Sequence, residues 1–489
     1  MHFKNKNKTI HRMHHFFKTA FAALLLAAAP GAWAQDIWSL ERCIVYAQDA
    51  NFTVLQARAN VKVAALAEKQ AKAARLPNIS INSNAGEQFG RTIDPTSNQF
   101  NTTNTGYNSL SLNAGVPIFN GGLIHHSVKQ ASWNAQAANA DAEQTANDLA
   151  LMVAQAYLNI LLAEEQAEST RRRVDQSLRQ LNVTQKLIEA GTVPMADRFN
   201  IEAQIARDEQ TAVAAQNSVD IAYLNLKQLL QLEPDFDLRI ERPQYEIPAD
   251  VNPENYSLQP VYATALTNQP SIRAAEFRIK SAEAGIPIAR ADYFPSLSLF
   301  ANLSTNYSSQ YRSPVFGTPG FSSPVPVLLD GELKSAQFPE TPVDYKKVTY
   351  FNQLDQNFGQ GVGVQISIPI YQNNRVRLSV ERARLNLVNA QLQQNQTRQQ
   401  LKNDIQTAIA NARSARKQLD AAQKTYTAMQ AAFNNTDKRH SLGAVNALEL
   451  TTAKTNLDNA ENDVLVAKYD YLFKLKILDF YQGKELQLK

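Results

Sequence analysis

The side chains best suited to catalysis are few, and none has a partner at a working spacing. Of the seven histidines, His2, His11, His14 and His15 fall close to the start of the chain. His125 and His126 are adjacent, so on a helix they point to different faces, a poor geometry for sharing a metal ion. His440 stands alone at a turn. The single cysteine, Cys43, leaves no internal disulfide. No HExxH, CxxC, GxSxG or phosphate-loop pattern occurs, so the serines and carboxylates have no histidine or metal to activate them. No catalytic residue, no metal site and no cofactor is expected, and the function is sought in architecture.

Residues 1–34 read as a secretion signal. Lys4, Lys6, Lys8, Arg12 and Lys18 make a basic start. Phe21 to Ala29 is an apolar stretch about half the ~20 residues that a membrane-spanning helix needs. Ala32-Trp33-Ala34 is a small-x-small cleavage signal, with the cut expected before Gln35. Cys43 is not at that cut, which argues against a lipid-anchored N-terminus. The whole chain has 49 Lys+Arg and 45 Asp+Glu; without the five leader cations it has 44 against 45. The mature chain is near neutral and carries no nucleic-acid footprint. No later segment reads as a transmembrane helix, so the exported chain is periplasmic, secreted or an outer-membrane β-barrel.

The rest reads as one unit written twice. Arg75-Leu76-Pro77-Asn78-Ile79-Ser80 matches Tyr293-Phe294-Pro295-Ser296-Leu297-Ser298 at an offset of 218. Val116-Pro117-Ile118-Phe119-Asn120 matches Ile368-Pro369-Ile370-Tyr371-Gln372 at an offset of 252, and Gly191 matches Gly443 at the same offset. The first copy covers 35–235, a Pro- and acid-rich linker covers 236–257, and the second copy covers 258–489. The second carries an insert over 308–357, rich in Pro and aromatics, expected either as an outer-mouth loop or as a disordered surface loop.

Each copy opens with an Ala-, Gln-, Lys- and Glu-rich helix, over 38–76 and 258–292, ended by Pro77 or Pro295. Period-two alternation follows. Leu110, Leu112, Ala114, Val116 and Ile118 form one run, and Leu297, Leu299, Ala301 and Leu303 another. Val362, Val364, Ile366, Ile368 and Ile370 form a third, and Ile79 with Ile81 begin a weaker fourth. Such spacing gives a strand one apolar and one polar face. Each run is long enough to cross a bilayer when tilted. Pro77, Pro117, Pro295 and Pro369 are placed at helix–strand junctions.

A very long helix comes next in each copy, over 121–190 and 373–440. Leu149, Val153, Ala156, Ile160, Ala163 and Ala167 form a coiled-coil stripe. Leu401, Ile405, Ala408, Ala412, Ala415 and Leu419 repeat it at offset 252. At ~1.5 Å per residue each helix reaches about 100 Å, too long for a compact domain. Gly191 and Gly443 supply the positive φ that closes these helices, and return helices follow over 195–232 and 445–481. Four lipid-crossing strands are too few to close a barrel, whose smallest single-chain form has about eight. The chain must therefore oligomerise, and three copies supply twelve.

The twofold order of helix, two strands, long helix and return helix resembles the TolC-type outer membrane efflux protein family over nearly all of the mature chain. The supporting pieces are Leu76-Pro77, Phe294-Pro295, Val116-Pro117-Ile118-Phe119-Asn120-Gly121-Gly122, Ala190-Gly191-Thr192-Val193 and Leu442-Gly443-Ala444-Val445. The fold class that follows is an α+β membrane protein of two tandem structural repeats. Its outer-membrane β-barrel is trimeric, with four strands per chain, and continues as a long periplasmic α-helical barrel. The resemblance implies a homotrimeric passive channel of a tripartite efflux or secretion system in a Gram-negative outer membrane. It also implies docking on a periplasmic adaptor and an inner-membrane transporter. It places a periplasmic gate ring at Asp197 and Glu449, six residues past each turn glycine. It places adaptor docking at Gly191, Thr192, Val193, Gly443, Ala444 and Val445. The plain alternative for the acids is helix-start chemistry, since the helix dipole favours a carboxylate there. His440 and Val445 stand where some members carry an aromatic and an arginine, and Thr452 stands where a further acid can occur. An alternative function is a periplasmic coiled-coil scaffold or adaptor without a pore, which leaves the alternating strands unexplained.

Overall fold

The computed structural model describes residues 37–93, 98, 100–242 and 252–484. The expected secretion signal over 1–34, much of the expected linker over 236–257 and the last residues lie outside these. The helices are α1 (Leu40–Ala50), α2 (Phe52–Ala73), α3 (Leu123–Glu189), α4 (Ala196–Leu230), α5 (Leu258–Asn268), α6 (Pro270–Arg290), α7 (Tyr350–Gln356), α8 (Arg375–Ser441) and α9 (Ala447–Tyr481). The long strands are β1 (Asn78–Gln88), β2 (Thr105–Asn120), β3 (Ser296–Ser308) and β4 (Gly359–Ser367). The chain divides into two compact units.

The first unit, 37–61 with 138–274 and 394–484, holds the helix cores. One core gathers Cys43, Ala47 and Val54 with Leu149, Val153, Tyr157 and Ile160, closed by Leu226. Another gathers Val261, Ala265 and Ile272 with Leu401, Ile405, Ile409 and Ala412, closed by Leu478. The first three members of each are 218 apart and the remainder 252 apart, so the same packing is built from matching positions. Burial pushes the Cys43 thiol up to about 12, which makes it an inert core side chain rather than a reactive one. An 18-residue window of α3 has a mean hydropathy of 1.3, apolar enough to cross a membrane, and half of it is buried inside the protein. This differs from the expectation of no such segment; the apolar residues there are those of the first core.

The opening helix of each copy differs from the sequence expectation of one continuous rod. It is broken at Asn51 and at Gln269, both in extended geometry. At Asn51 the break is chemically defined. Its N–H donates to Ala47 O at 2.8 Å, ending α1. Its side-chain oxygen accepts the Thr53 N–H at 2.9 Å, which caps α2, and its amide donates to Leu229 O at 2.9 Å. Gln269 repeats the helix-ending bond to Ala265 O at 2.9 Å. Pro270 then takes the first position of α6, where a missing N–H costs nothing.

The second unit, 62–137 with 275–393, holds the sheet. Its order is β4-β3-β2-β1, every neighbour antiparallel. Pro77 and Pro295 immediately precede β1 and β3, and Pro369 follows β4. Pro117 differs from its expected place: it lies inside β2, at a register shift between Pro117 and Phe119. A proline lacks the N–H that a ladder needs, and a bulge accommodates it. The insert after β3 is a ribbon rather than a formless loop: 312–316 pairs with 343–347, and 325–329 pairs with 332–336. Its turn is Asp330-Gly331, with φ of +56° and +85°, the left-handed pair that fits the strand twist.

Candidate functional site

The sheet has two chemically distinct faces, fixed by its register. Directly paired residues share a face, as do residues two apart along a strand. Ile81, Leu112 and Leu303 form one row, and Ile79, Ala114, Ala301 and Val362 the next. Val116, Leu299 and Val364 form another. The opposite face carries Asn82, Ser111 and Ser304, then Ser80, Asn113 and Asn302. Phe300 also lies on that face, set between Gly115 and Gly363, its paired glycines. A Cβ on Gly363 would fall 2.6 Å from the Phe300 ring, so the glycine makes room for the aromatic.

The apolar face is not a core. Ile81 is 73% exposed and Val362 76%. Among the described residues β1 and β4 each have a strand neighbour on one side only, so each presents an open edge. One apolar face and one polar face, with alternation along every strand, is a pattern that the strands of membrane β-barrels share.

The two helical turns of the first unit are built alike. After α3 the Gly191 N–H donates to Ile188 O at 2.9 Å and the Thr192 N–H to Leu187 O at 3.0 Å. After α8 the Gly443 N–H donates to His440 O at 2.9 Å and the Ala444 N–H to Arg439 O at 2.9 Å. These paired bonds close a helix through a left-handed residue, and φ is +72° at Gly191 and +71° at Gly443. Thr192, Val193, Ala444 and Val445 continue the turns. The two acids meet different surroundings. Asp197 is buried in the first turn of α4. Glu449 is exposed in the first turn of α9, its N–H held by the Asn446 side chain at 2.9 Å and its carboxylate 3.4 Å from Arg439. His440 is buried beside this turn.

Farther along the same helices lies a buried ionic cluster that sequence reading missed. Lys454 Nζ on α9 donates to Ser177 Oγ on α3 at 2.5 Å and lies 3.4 Å from Asp208 Oδ2 on α4. Gln204 Nε2 donates to Asp208 Oδ1 at 2.7 Å. Arg173 lies 3.4 Å from Asp458, with Glu461 beyond at 3.8 Å. Burial pushes the Asp458 carboxyl up to about 6, against the pull of Arg173 and Lys454. The cluster borders a cavity of about 240 Å³ lined by Ser177, Gln204, Phe433, Leu450 and Lys454. The triple Arg171-Arg172-Arg173, inside a stripe of alanines and leucines, was the signal available.

Long helices and a four-stranded sheet with one apolar and one polar face are the features to compare with known proteins. Residues 44–231 and 261–483 match the outer membrane efflux protein family, and the chain belongs to it. It is 25% identical to the outer membrane protein TolC of Escherichia coli K12 over 331 residues, 66% of this chain and 59% of that one. It is 21% identical to the alkaline protease secretion protein AprF of Pseudomonas aeruginosa, over 69% of this chain and 61% of that one. The chain thus spans about three-fifths of the length of these relatives. Its fold is similar to that of the CusC transmembrane channel, with a TM-score of 0.71, 18% identity, and coverage of 91% of this chain and 92% of that one.

Proposed function

We propose that three copies of this chain assemble into a passive duct through the outer membrane of a Gram-negative cell. The observation that carries this is the open edge that β1 and β4 present among the described residues, beside an apolar face on which Ile79, Ile81, Val362 and Val364 are exposed. In lipid, an unpaired strand edge leaves several backbone groups without partners, each costing several kcal/mol. Pairing the β4 edge of one copy with the β1 edge of the next removes both edges. Three copies then close a twelve-stranded barrel with Asn82, Ser111 and Ser304 toward its water-filled side.

The residue-by-residue correspondence of the two helix cores supports a tandem duplication. The long helices of three copies then line a helical barrel on the periplasmic side. The turns at Gly191–Val193 and Gly443–Val445 are the docking points for a periplasmic adaptor, which couples the duct to an inner-membrane transporter. Nothing within 4 Å of an added Cβ crowds either glycine, so a partner helix has access. Asp197 and Glu449 form the selectivity ring at this end, three copies of each attracting cations.

Reconstitution in planar bilayers tests the reading. Purified protein should give discrete, cation-preferring conductance steps, and the Asp197→Ala, Glu449→Ala double variant should conduct more or prefer cations less. Absence of any conductance from correctly folded protein contradicts the duct. Unchanged conductance and preference in the variant contradicts only the ring.

A further inference from the structure

The outer part of β3 is finished by a helix instead of a strand. β4 begins at Gly359, opposite Ser304, so Thr305 to Ser308 have no β4 partner. Helix α7 fills that place with side-chain chemistry. Asn357 Nδ2 donates to Asn306 O at 2.8 Å, and the Ser308 N–H donates to Gln353 Oε1 at 3.0 Å. Thr305 Oγ1 donates to Leu354 O at 2.6 Å. Gln353 is fully buried, and its Nε2 donates to Val348 O at 3.1 Å. Two amide side chains thus replace ladder bonds, and they fix which residues of α7 remain outside.

Those residues are aromatic. Tyr350 packs on Tyr307 with centroids 4.9 Å apart and donates its hydroxyl to Asn108 Oδ1 at 2.8 Å. Phe351 leans on Tyr350 and is 78% exposed. By register, Tyr307 and Asn108 share the face of Leu303 and Leu110. The aromatic group therefore tops the uncovered apolar face. Immediately beside it the ribbon starts, with Arg312 directly opposite Lys347. Their face of the ribbon continues with Pro314 and Tyr345, then Phe316 and Val343. Lys346 falls on the other face with Asp344, and Asp355 is the acid of α7.

We infer that Arg312 and Lys347, together with Tyr350 and Phe351, dock the phosphorylated headgroup of an acidic glycolipid of the outer leaflet. The inference rests on the proposed function, which puts the apolar face in lipid and the strand ends remote from the helices at the outer surface. Aromatic rings settle at the boundary between hydrocarbon and headgroups. A guanidinium and an ammonium at that level meet phosphate with charge-assisted hydrogen bonds. A zwitterionic phospholipid offers one screened phosphate, whereas lipid A carries two on a rigid disaccharide, which matches a paired Arg and Lys.

The test is native mass spectrometry of the detergent-solubilised full-length protein titrated with diphosphorylated lipid A, and separately with phosphatidylethanolamine. Wild-type protein should retain lipid A adducts. The Arg312→Gln, Lys347→Gln double variant should lose affinity for lipid A by about a hundredfold, roughly tenfold for each lost charge-assisted contact. Its phosphatidylethanolamine adducts should not change. Phe351→Ala should weaken both lipids, and Lys346→Gln neither. Equal lipid A binding by wild type and the double variant overturns this inference and leaves the duct standing. Failure to bind either lipid, with the protein recovered in the aqueous phase, overturns both.

Discussion

Arg173 on α3 and Asp458 on α9 face each other at 3.4 Å with both side chains largely buried, and the Asp458 backbone oxygen accepts a second bond from Arg173 at 2.5 Å. Burial outweighs the arginine and lifts the carboxyl from 3.8 to about 6. Between those two values the folded chain binds a proton that the unfolded chain has released. The resulting contribution to stability is fully present below about pH 4 and is lost as pH rises through about 6.

Asp458→Asn removes that titration. The melting temperature of wild type minus that of the variant should therefore rise as pH falls from 7 to about 4.5, read by circular dichroism at 222 nm. Taking the difference cancels groups that both proteins share. A difference that is flat with pH contradicts the burial argument.

The glycines separate backbone strain from crowding. Gly191→Ala and Gly443→Ala place a side chain at positive φ in open space, costing about 1–2 kcal/mol each. Amide exchange at Thr192 and Ala444 should quicken while the assembled protein still reaches the membrane. Gly121, between β2 and α3, also has positive φ, and its added Cβ would fall 2.4 Å from Ala291 O. Gly121→Ala should cut the yield of heat-modifiable assembled protein severely. Equal yields for the three variants contradict the distinction.

The two sheet faces differ in tolerance. Val364→Lys puts a charge on the apolar face, at a cost of about 2–4 kcal/mol near the bilayer midplane. Asn82→Lys puts the same charge on the polar face, paired with Ser111. The first should abolish recovery in the detergent-extracted outer membrane, and the second should preserve recovery while shifting ion preference toward anions. The opposite ranking reverses the assignment of faces.

What the sequence showed was periodic; what it hid was local or assembled from distant parts. The long helices were expected at 121–190 and 373–440 and occur at Leu123–Glu189 and Arg375–Ser441, because a coiled-coil stripe is written over many turns. The alternation at Leu110–Val116 and Leu297–Leu303 became the strand faces for the same reason, whereas Ile118 falls at the register shift and leaves the ladder. Asn51 broke its helix unannounced, since a capping asparagine looks like any polar helix residue until Thr53 and Leu229 are near it. Pro270 was a visible breaker that the Ala-rich context outweighed. The ribbon was obscured by its prolines, although Asp330-Gly331 marks its turn. The cluster of Ser177, Asp208 and Lys454 joins three helices, and no spacing along one chain segment reveals such a meeting. The candidate tip residues were found through their glycines, whereas the contrast between buried Asp197 and exposed Glu449 depends on packing.

The most direct measurement is the mass of the mature protein extracted from membranes in mild detergent, by native mass spectrometry, with the same sample applied to a planar bilayer. A single species at three times the chain mass that conducts is the predicted result. A conducting monomer, or a chain that stays monomeric and water-soluble with its β1 and β4 edges unpaired, contradicts the account.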